Sequence, residues 1–213
     1  MEKEIFCSDC AVRTCNRVDG ELPKFCQSLR HADKRETSVK AYVDDPVSGH
    51  IMRSFAAVDQ RGVTGEQSSR LEMLITLMHR MEVRRVGIAS CYAFLRDART
   101  LARILRVNGF EVFGINCRVG KLNKQADLCI APENDKAPDI TSCNPIMQAD
   151  ILNGYKTEYN IILGLCVGHD AVFARHSEAP VSTLVAKDFA LGHNPLPALR
   201  DEAFSSLLTD PLE

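Results

Sequence analysis

Nine cysteines in 213 residues carry most of the reactive chemistry of this chain. Four come early, as Cys7-x2-Cys10-x4-Cys15-x10-Cys26, among charged residues and with Gly20 and Pro23 between them. So few apolar side chains cannot bury a core, whereas four thiolates closing loops around a metal can replace one. Four more occupy particular places in the later pattern: Cys91, Cys117 and Cys166 each follow a short apolar run, and Cys143 stands just before Asn144-Pro145. If those runs are strands of one parallel sheet, all four thiols fall on its carboxyl edge, where neighbouring strands are about 5 Å apart and ligands characteristically bind. The expectation is a shared metal or cluster site at Cys91, Cys117, Cys143 and Cys166, set against buried structural thiols or a metal-free redox or nucleophilic cysteine. Cys129 lies inside an apolar run and reads as a small buried residue.

Soft thiolates suit zinc and iron-sulfur clusters alike. Zinc ribbons bring two close cysteine pairs together, and the N-terminal segment has one such pair followed by wider, unequal gaps. That spacing favours an iron-sulfur cluster, of the 4Fe-4S type, with zinc as the alternative. At the sheet edge, helix N-termini that stabilise anionic sulfur point the same way. With three ligands of four, an open iron could hold substrate or exogenous sulfur. His169 and Asp170 follow Cys166 closely, which makes His169 the candidate catalytic residue. It could be a ligand, a proton donor or a hydrogen-bond donor to sulfur, and a loop hydrogen bond is the plain alternative. The same choice applies to His193. Lys187 and Asp188 could orient an anionic ligand or form an ordinary surface pair, and Asn144 and Asn153 read as cap and turn residues.

The elements that must position these groups are legible in outline. Residues 31–45 read as a linker. After Pro46, a helix places Ile51, Met52, Phe55 and Ala56 on one face, and a second helix, after Thr64 or Gly65 with Glu66 in its first turn, aligns Leu71, Leu74, Ile75 and Met78; both are expected to be core helices. From residue 83 short apolar runs alternate with helical segments, the signature of an α/β fold with a mainly parallel sheet and crossover helices. Strands are expected at 83–89, 111–116, 160–165 and 181–186, with a weaker one at 127–131 and a polar loop at 132–142. A helix over 92–107 turns Leu95, Ala98, Leu101, Ala102 and Leu105 inward and Arg96, Arg99, Arg103 and Arg106 outward, a stripe read as a solvated face. Helices are also expected from Pro145, with Ile146, Ala149, Leu152 and Tyr155 on one face, and over 170–176. The tail from Leu196 is expected to be helical. The division expected is a cysteine-rich metal-binding segment and linker over 1–45 and an α/β domain over 46–213.

A formal net charge of −2 gives no reason to expect a nucleic-acid partner. No apolar run approaches membrane-spanning length and the first residues do not resemble an export signal, so the chain reads as cytoplasmic, with reduced thiols.

The segments Cys143-Asn-Pro-Ile-Met-Gln-Ala149, Leu152-Asn153, Gly164-Leu-Cys-Val-Gly-His-Asp170 and Gly192-His-Asn-Pro195, with the N-terminal cysteines, resemble the prokaryotic family catalogued as domain of unknown function 1847. The similarity extends over nearly the whole chain. It implies metal binding through cysteines, with Cys7, Cys10, Cys15, Cys26, Cys91, Cys117, Cys143 and Cys166 in the shared pattern and Cys129 outside it. It implies no particular reaction. The first expectation is thus an iron-sulfur protein with two cysteine sites, for electron transfer or chemistry on a small sulfur-containing or anionic substrate, with a redox partner or small-molecule ligand. A zinc-binding sensor or carrier is the second. The third is a thiol enzyme using Cys143 or Cys166 as nucleophile and His169 as base.

Overall fold

Two units, Met1–Gln60 and Arg61–Glu213, divide the chain. The computed structural model describes residues 5–56, 58, 68–130 and 141–211.

In the first unit, short 3-10 turns at Cys7–Asp9 and Thr14–Asn16 are followed by helices α1 (Gln27–Arg30), α2 (Asp33–Asp44) and α3 (Pro46–Ala56). Side-chain hydrogen bonds substitute for a core in the cysteine segment. Gln27 Nε2 donates to the Ile5 carbonyl at 2.7 Å, and Thr14 Oγ1 to that of Glu21 at 2.6 Å. The chain doubles back so tightly that a Cβ on Gly20 would lie 1.9 Å from the Thr14 carbonyl oxygen. Residues 33–44, read from sequence as linker, are helical. Their polar composition hides the helix from a search for an apolar stripe, and none of them is buried. Asp45 ends α2 and starts α3, its carboxylate accepting from the amides of Val47 and Ser48. The apolar face expected to sink α3 into a core does not do so, since Met52 is 50% and Phe55 36% exposed. The buried residues of α3 are Gly49 and Ser54. A Cβ on Gly49 would lie 2.2 Å from the Tyr42 carbonyl, so α2 and α3 meet backbone to backbone instead of through interlocked large side chains.

In the second unit, α4 (Arg70–Arg80) starts at a reciprocal capping box, with Ser69 Oγ on the Glu72 amide and the Glu72 carboxylate on the Ser69 amide. Leu74, Leu77 and Met78 are its buried residues, and Leu71 and Ile75 are half-buried. Thr64, Gly65 and Glu66, expected at its start, lie outside the described residues. Strands β1 (Arg85–Ser90), β2 (Glu111–Asn116), β3 (Tyr159–Leu163) and β4 (Val181–Val185) form one all-parallel sheet in the order β2-β1-β3-β4. The fold is α/β, as the alternation of apolar runs and helices implied. The crossovers are carried by α5 (Leu95–Val107), α7 (Pro145–Gly154) and α8 (His169–His176). A Cβ on Gly87 of β1 would meet Leu152 of α7, whereas Ile88 and Ser90 share a groove with α5, so the two helices cover opposite faces of the sheet. From β1 the chain first adds a strand on one side and then crosses to the other. The reversal point lies at the carboxyl ends of β1 and β3, the place where such sheets bind ligands.

The strand expected at 127–131 is not formed over its described residues, 127–130: α6 occupies Lys124–Leu128 instead. Asn123 Oδ1 accepts from the amides of Gln125 and Ala126, and Asp127 accepts from that of Asn123, so local capping outcompetes the β preference of a short apolar run. Cys129 is therefore not the buried residue expected. It closes α6 in the left-handed region, φ 53°, and is exposed. The polar loop expected at 132–142 lies almost wholly outside the described residues. Past β4, the expected tail helix consists of 3-10 turns at Leu196–Leu199 and Glu202–Leu208. Among the described residues no helix is long and apolar enough to cross a membrane.

Candidate metal centre

Each of the four later cysteines is delivered to the sheet's carboxyl edge by a different piece of chain. Cys91 follows β1 and donates its amide to the Leu163 carbonyl at 3.1 Å; Cys117 follows β2 and donates to that of Ser90 at 2.9 Å. The Asn144 amide in turn donates to the Cys117 carbonyl at 2.8 Å, which brings the start of α7 to the same edge. Asn144 caps α7 through the Met147 amide, as the Asn-Pro pair predicted. Cys166 leaves β3 through Gly164, and its carbonyl accepts from the amides of His169 and Asp170 as α8 begins.

The sulfurs come together as a result. Cys117 and Cys143 are 3.5 Å apart, and the Tyr92 amide donates to Cys117 Sγ at 3.3 Å. Lys187, leaving β4, donates Nζ to Cys166 Sγ at 3.0 Å and to Cys91 Sγ at 3.2 Å. Potential ligand atoms of Cys143, Cys166 and His169 all lie within 4.8 Å of one another. His169 Nδ1 is buried without a hydrogen-bond partner, a cost that a bound ion would remove. Two soft sulfurs and an imidazole suit a transition-metal ion, and a tetrahedron with metal–sulfur bonds of about 2.3 Å spaces its sulfurs about 3.8 Å apart. The donor set allows metal binding on both counts.

Electrostatics separate the thiols. Either sulfur of the Cys117–Cys143 pair could donate on distance alone, but Cys117 is 1% exposed and keeps the proton. Its pKa is pushed strongly up, by the hydrogen bond with Cys143 and by burial. Cys143 is lowered to about 7 by the hydrogen bond from Cys117, which outweighs burial, and the charge of Arg118 adds to the effect. Burial works against the Lys187 ammonium, yet its hydrogen bonds to Cys166 and Cys91 prevail and raise its pKa. In metal-stripped protein, alkylation of Cys143 should therefore reach half its maximal rate near pH 7, well below an ordinary thiol. Peptide mapping of trapped adducts across pH 5–9 measures this, and a midpoint above about 8.5, the free-thiol value, would contradict it.

The remaining polar residues take quieter places. His193 accepts the Asp188 amide at Nδ1 and packs its ring on Phe94 and Phe189, so it builds a loop. Asp188 accepts from the Leu191 amide in the same turn. Asn153 bonds the His176 carbonyl and the Glu178 amide, the turn role read from sequence. Of the two readings the sequence leaves for Lys187, an anion-orienting group or an ordinary surface charge, the structure favours the first, with the ammonium between two thiols. Gln148 was passed over. It is wholly buried in α7 and donates Nε2 to the carbonyls of Ser90 and Ile115, just before Cys91 and Cys117. A glutamine one helical turn before Leu152, on an otherwise apolar face, was the available signal.

The N-terminal cysteines are arranged differently. Cys7, Cys10, Cys15 and Cys26 all line one cavity of about 120 Å³, together with apolar residues such as Phe6, Val12 and Phe25. Among the described residues, no three of these sulfurs lie within 4.8 Å of one another. The Cys26 thiol is lowered by hydrogen bonds from the Ser28 amide and hydroxyl.

Fold and site together define an α/β protein whose parallel sheet carries, at its carboxyl edge, a cluster of cysteines and a histidine able to hold a metal. The chain belongs to the family described as "Protein of unknown function (DUF1847)", whose model matches residues 26–184. It is also 34% identical over 188 residues, 88% of this chain and 90% of the relative, to the "Uncharacterized protein MJ0455" of Methanocaldococcus jannaschii. No solved structure matches it. The family match takes in Cys26, all four edge cysteines and His169, while Cys7, Cys10 and Cys15 precede it and Lys187 and His193 follow it.

Proposed function

We propose that this chain is a cysteine-ligated metalloprotein with two sites of different kinds. At the sheet edge, Cys143, Cys166 and His169 hold one transition-metal ion, with Cys91, Cys117 and Lys187 around it. The observation that carries this reading is the mutual approach of those three donors within 4.8 Å, the spacing of ligands on a single ion, beside an unpartnered His169 nitrogen. Three protein ligands leave a coordination position free for a small sulfur-containing or anionic substrate, and the ion would supply Lewis acidity there. The Lys187 ammonium balances the thiolate charge.

At the N-terminus, four cysteines around one cavity, no three of them within 4.8 Å of one another among the described residues, support an iron-sulfur cluster, in which each thiolate binds a different iron. Electron transfer to a redox partner is the role such a cluster would serve. Anaerobic purification followed by iron, sulfide and zinc analysis tests both sites. The expected result is iron and sulfide in equal amounts, lost selectively in Cys10→Ser while the second unit keeps its melting transition and its own ion. Stoichiometric zinc without sulfide would replace the cluster by the zinc reading, and coincident loss of both metals in Cys10→Ser would contradict two independent sites.

A second reading rests on the lowered Cys143 thiol: a metal-free nucleophile activated by Cys117 and Arg118. Metal-free protein that turns over a thioester or disulfide substrate, and loses this only on Cys143→Ser, would favour it.

A further inference from the structure

Helix α5 was expected to bury Leu95, Ala98, Leu101, Ala102 and Leu105 against the sheet. Only Leu101 and Leu105 are buried; Leu95 is 42% exposed, and Ala98 and Ala102 are too short to close the gap that follows. The gap is a groove of about 300 Å³ between α5 and the β1–β2 half of the sheet, at the lower end of small-molecule sites. Its floor is Ile88, Ser90, Gly114 and Asn116, which share one face because Ile88 pairs with Gly114 and Ser90 with Asn116. Its rim is Arg99, Arg103 and Arg106.

A solvated arginine face accounts for the charges but not for the rest of this construction. Gly114 stands in ordinary strand geometry, and a Cβ built on it would meet nothing within 4 Å, so neither backbone nor packing requires glycine there. Asn116 uses Oδ1 to accept the Arg118 amide, while its Nδ2 is withdrawn from solvent with no acceptor. Among the described residues, neither Arg99 nor Arg103 has a hydrogen bond or ion pair and no acidic side chain lines the groove. Arg106 gives one N–H to the Val112 carbonyl at 3.5 Å, and the nearby Glu111 carboxylate is engaged by Arg85 at 3.5 Å. Guanidinium groups that have no partner among the described residues, Arg99 and Arg103, over an open floor with a spare amide donor match the oxygens of an anion, which arginine holds in a fork of parallel hydrogen bonds.

We propose that this groove binds the oxyanion of a small organic ligand, a phosphate monoester or a carboxylate, through Arg99 and Arg103 on the rim and Asn116 Nδ2 on the floor. Ser90 and Asn116 directly precede Cys91 and Cys117, so the groove's floor reaches the same carboxyl end of the sheet that the thiols follow. The site is independent of whether those thiols hold a metal.

Calorimetric titration of the full chain with glycerol 3-phosphate and, separately, with succinate tests the assignment and distinguishes its two sources. At least one should bind saturably and shift the Asn116 side-chain amide resonance. Arg103→Gln should weaken that binding about tenfold or more, whereas Arg96→Gln, off the groove, should not. Gly114→Val should also abolish binding, with melting temperature and metal content retained, because a β-branched residue suits the strand and fills the open space. If Gly114→Val does not fold, Arg99→Gln takes its place. Absence of saturable binding by either ligand, or binding unchanged in Arg103→Gln, overturns the proposal.

Discussion

On the proposed ligand set, a Cys166→Ser variant is expected to lose metal binding at the sheet edge, with affinity falling about a hundredfold or more, while the metal content of the N-terminal segment stays as it was. Loss of an outer-shell partner alone commonly costs about ten- to a hundredfold, and here a soft donor itself is exchanged for a hard hydroxyl. Cys166 is the better test of the trio than Cys143, which is also hydrogen-bonded to Cys117 and could disturb a second thiol. The serine retains a group that can accept from Lys187, so the backbone around Gly164 and α8 should stay in place. Metal content after dialysis against a chelator, with circular dichroism as a check on folding, gives the result. An unchanged edge metal in Cys166→Ser would remove Cys166 from the ligand set and the present reading with it.

The second large effect is expected from Gly164→Ala, which should destabilise the second unit by about 2–4 kcal/mol, from left-handed backbone strain plus overpacking. Gly164 has φ +66°, and a Cβ there would lie 2.3 Å from Phe94 Cε2. Phe94 is buried and carries the His193 ring at 4.8 Å on its other contact, so it cannot simply swing aside. The Gly164 amide donates to the Val185 carbonyl, which ties the strain to the β3–β4 pair as well. A fall in melting temperature of roughly 5–15 °C follows for a unit of this size. A fall under about 2 °C, less than 1 kcal/mol would give, would mean that Phe94 yields easily. Because Cys166 is two residues away, loss of edge metal should accompany the destabilisation.

The α/β class and the carboxyl-edge position of Cys91, Cys117, Cys143 and Cys166 were legible because they rest on local signals: short apolar runs, Gly and Asn-Pro punctuation, and the regular place of cysteine after a strand. Where competing local signals met, the reading failed. At residues 124–128 an asparagine cap overrides an apolar run, and at 33–44 a helix without an apolar face has the composition of a linker. Features set by which strands lie side by side were out of reach. Lys187 meets Cys91 and Cys166 only because β4 lies beside β3 and β3 beside β1, an order that no residue spacing encodes. The same holds for Gly114 and Ala98, whose smallness becomes a groove only once α5 is laid across β1 and β2.

Gln148 sets a limit on what the edge can accept. Helix α7 carries Cys143 just ahead of its first turn and, within that same turn, fastens itself to the carbonyls of Ser90 and Ile115, the backbone that leads into Cys91 and Cys117. Three of the sulfurs therefore ride on one stiff frame, which cannot dilate around a larger guest or shrink around a smaller one without breaking a fully buried hydrogen bond. Such a frame fixes the spacing of Cys91, Cys117 and Cys143 to one another, and it does so with a side chain that touches none of the three sulfurs.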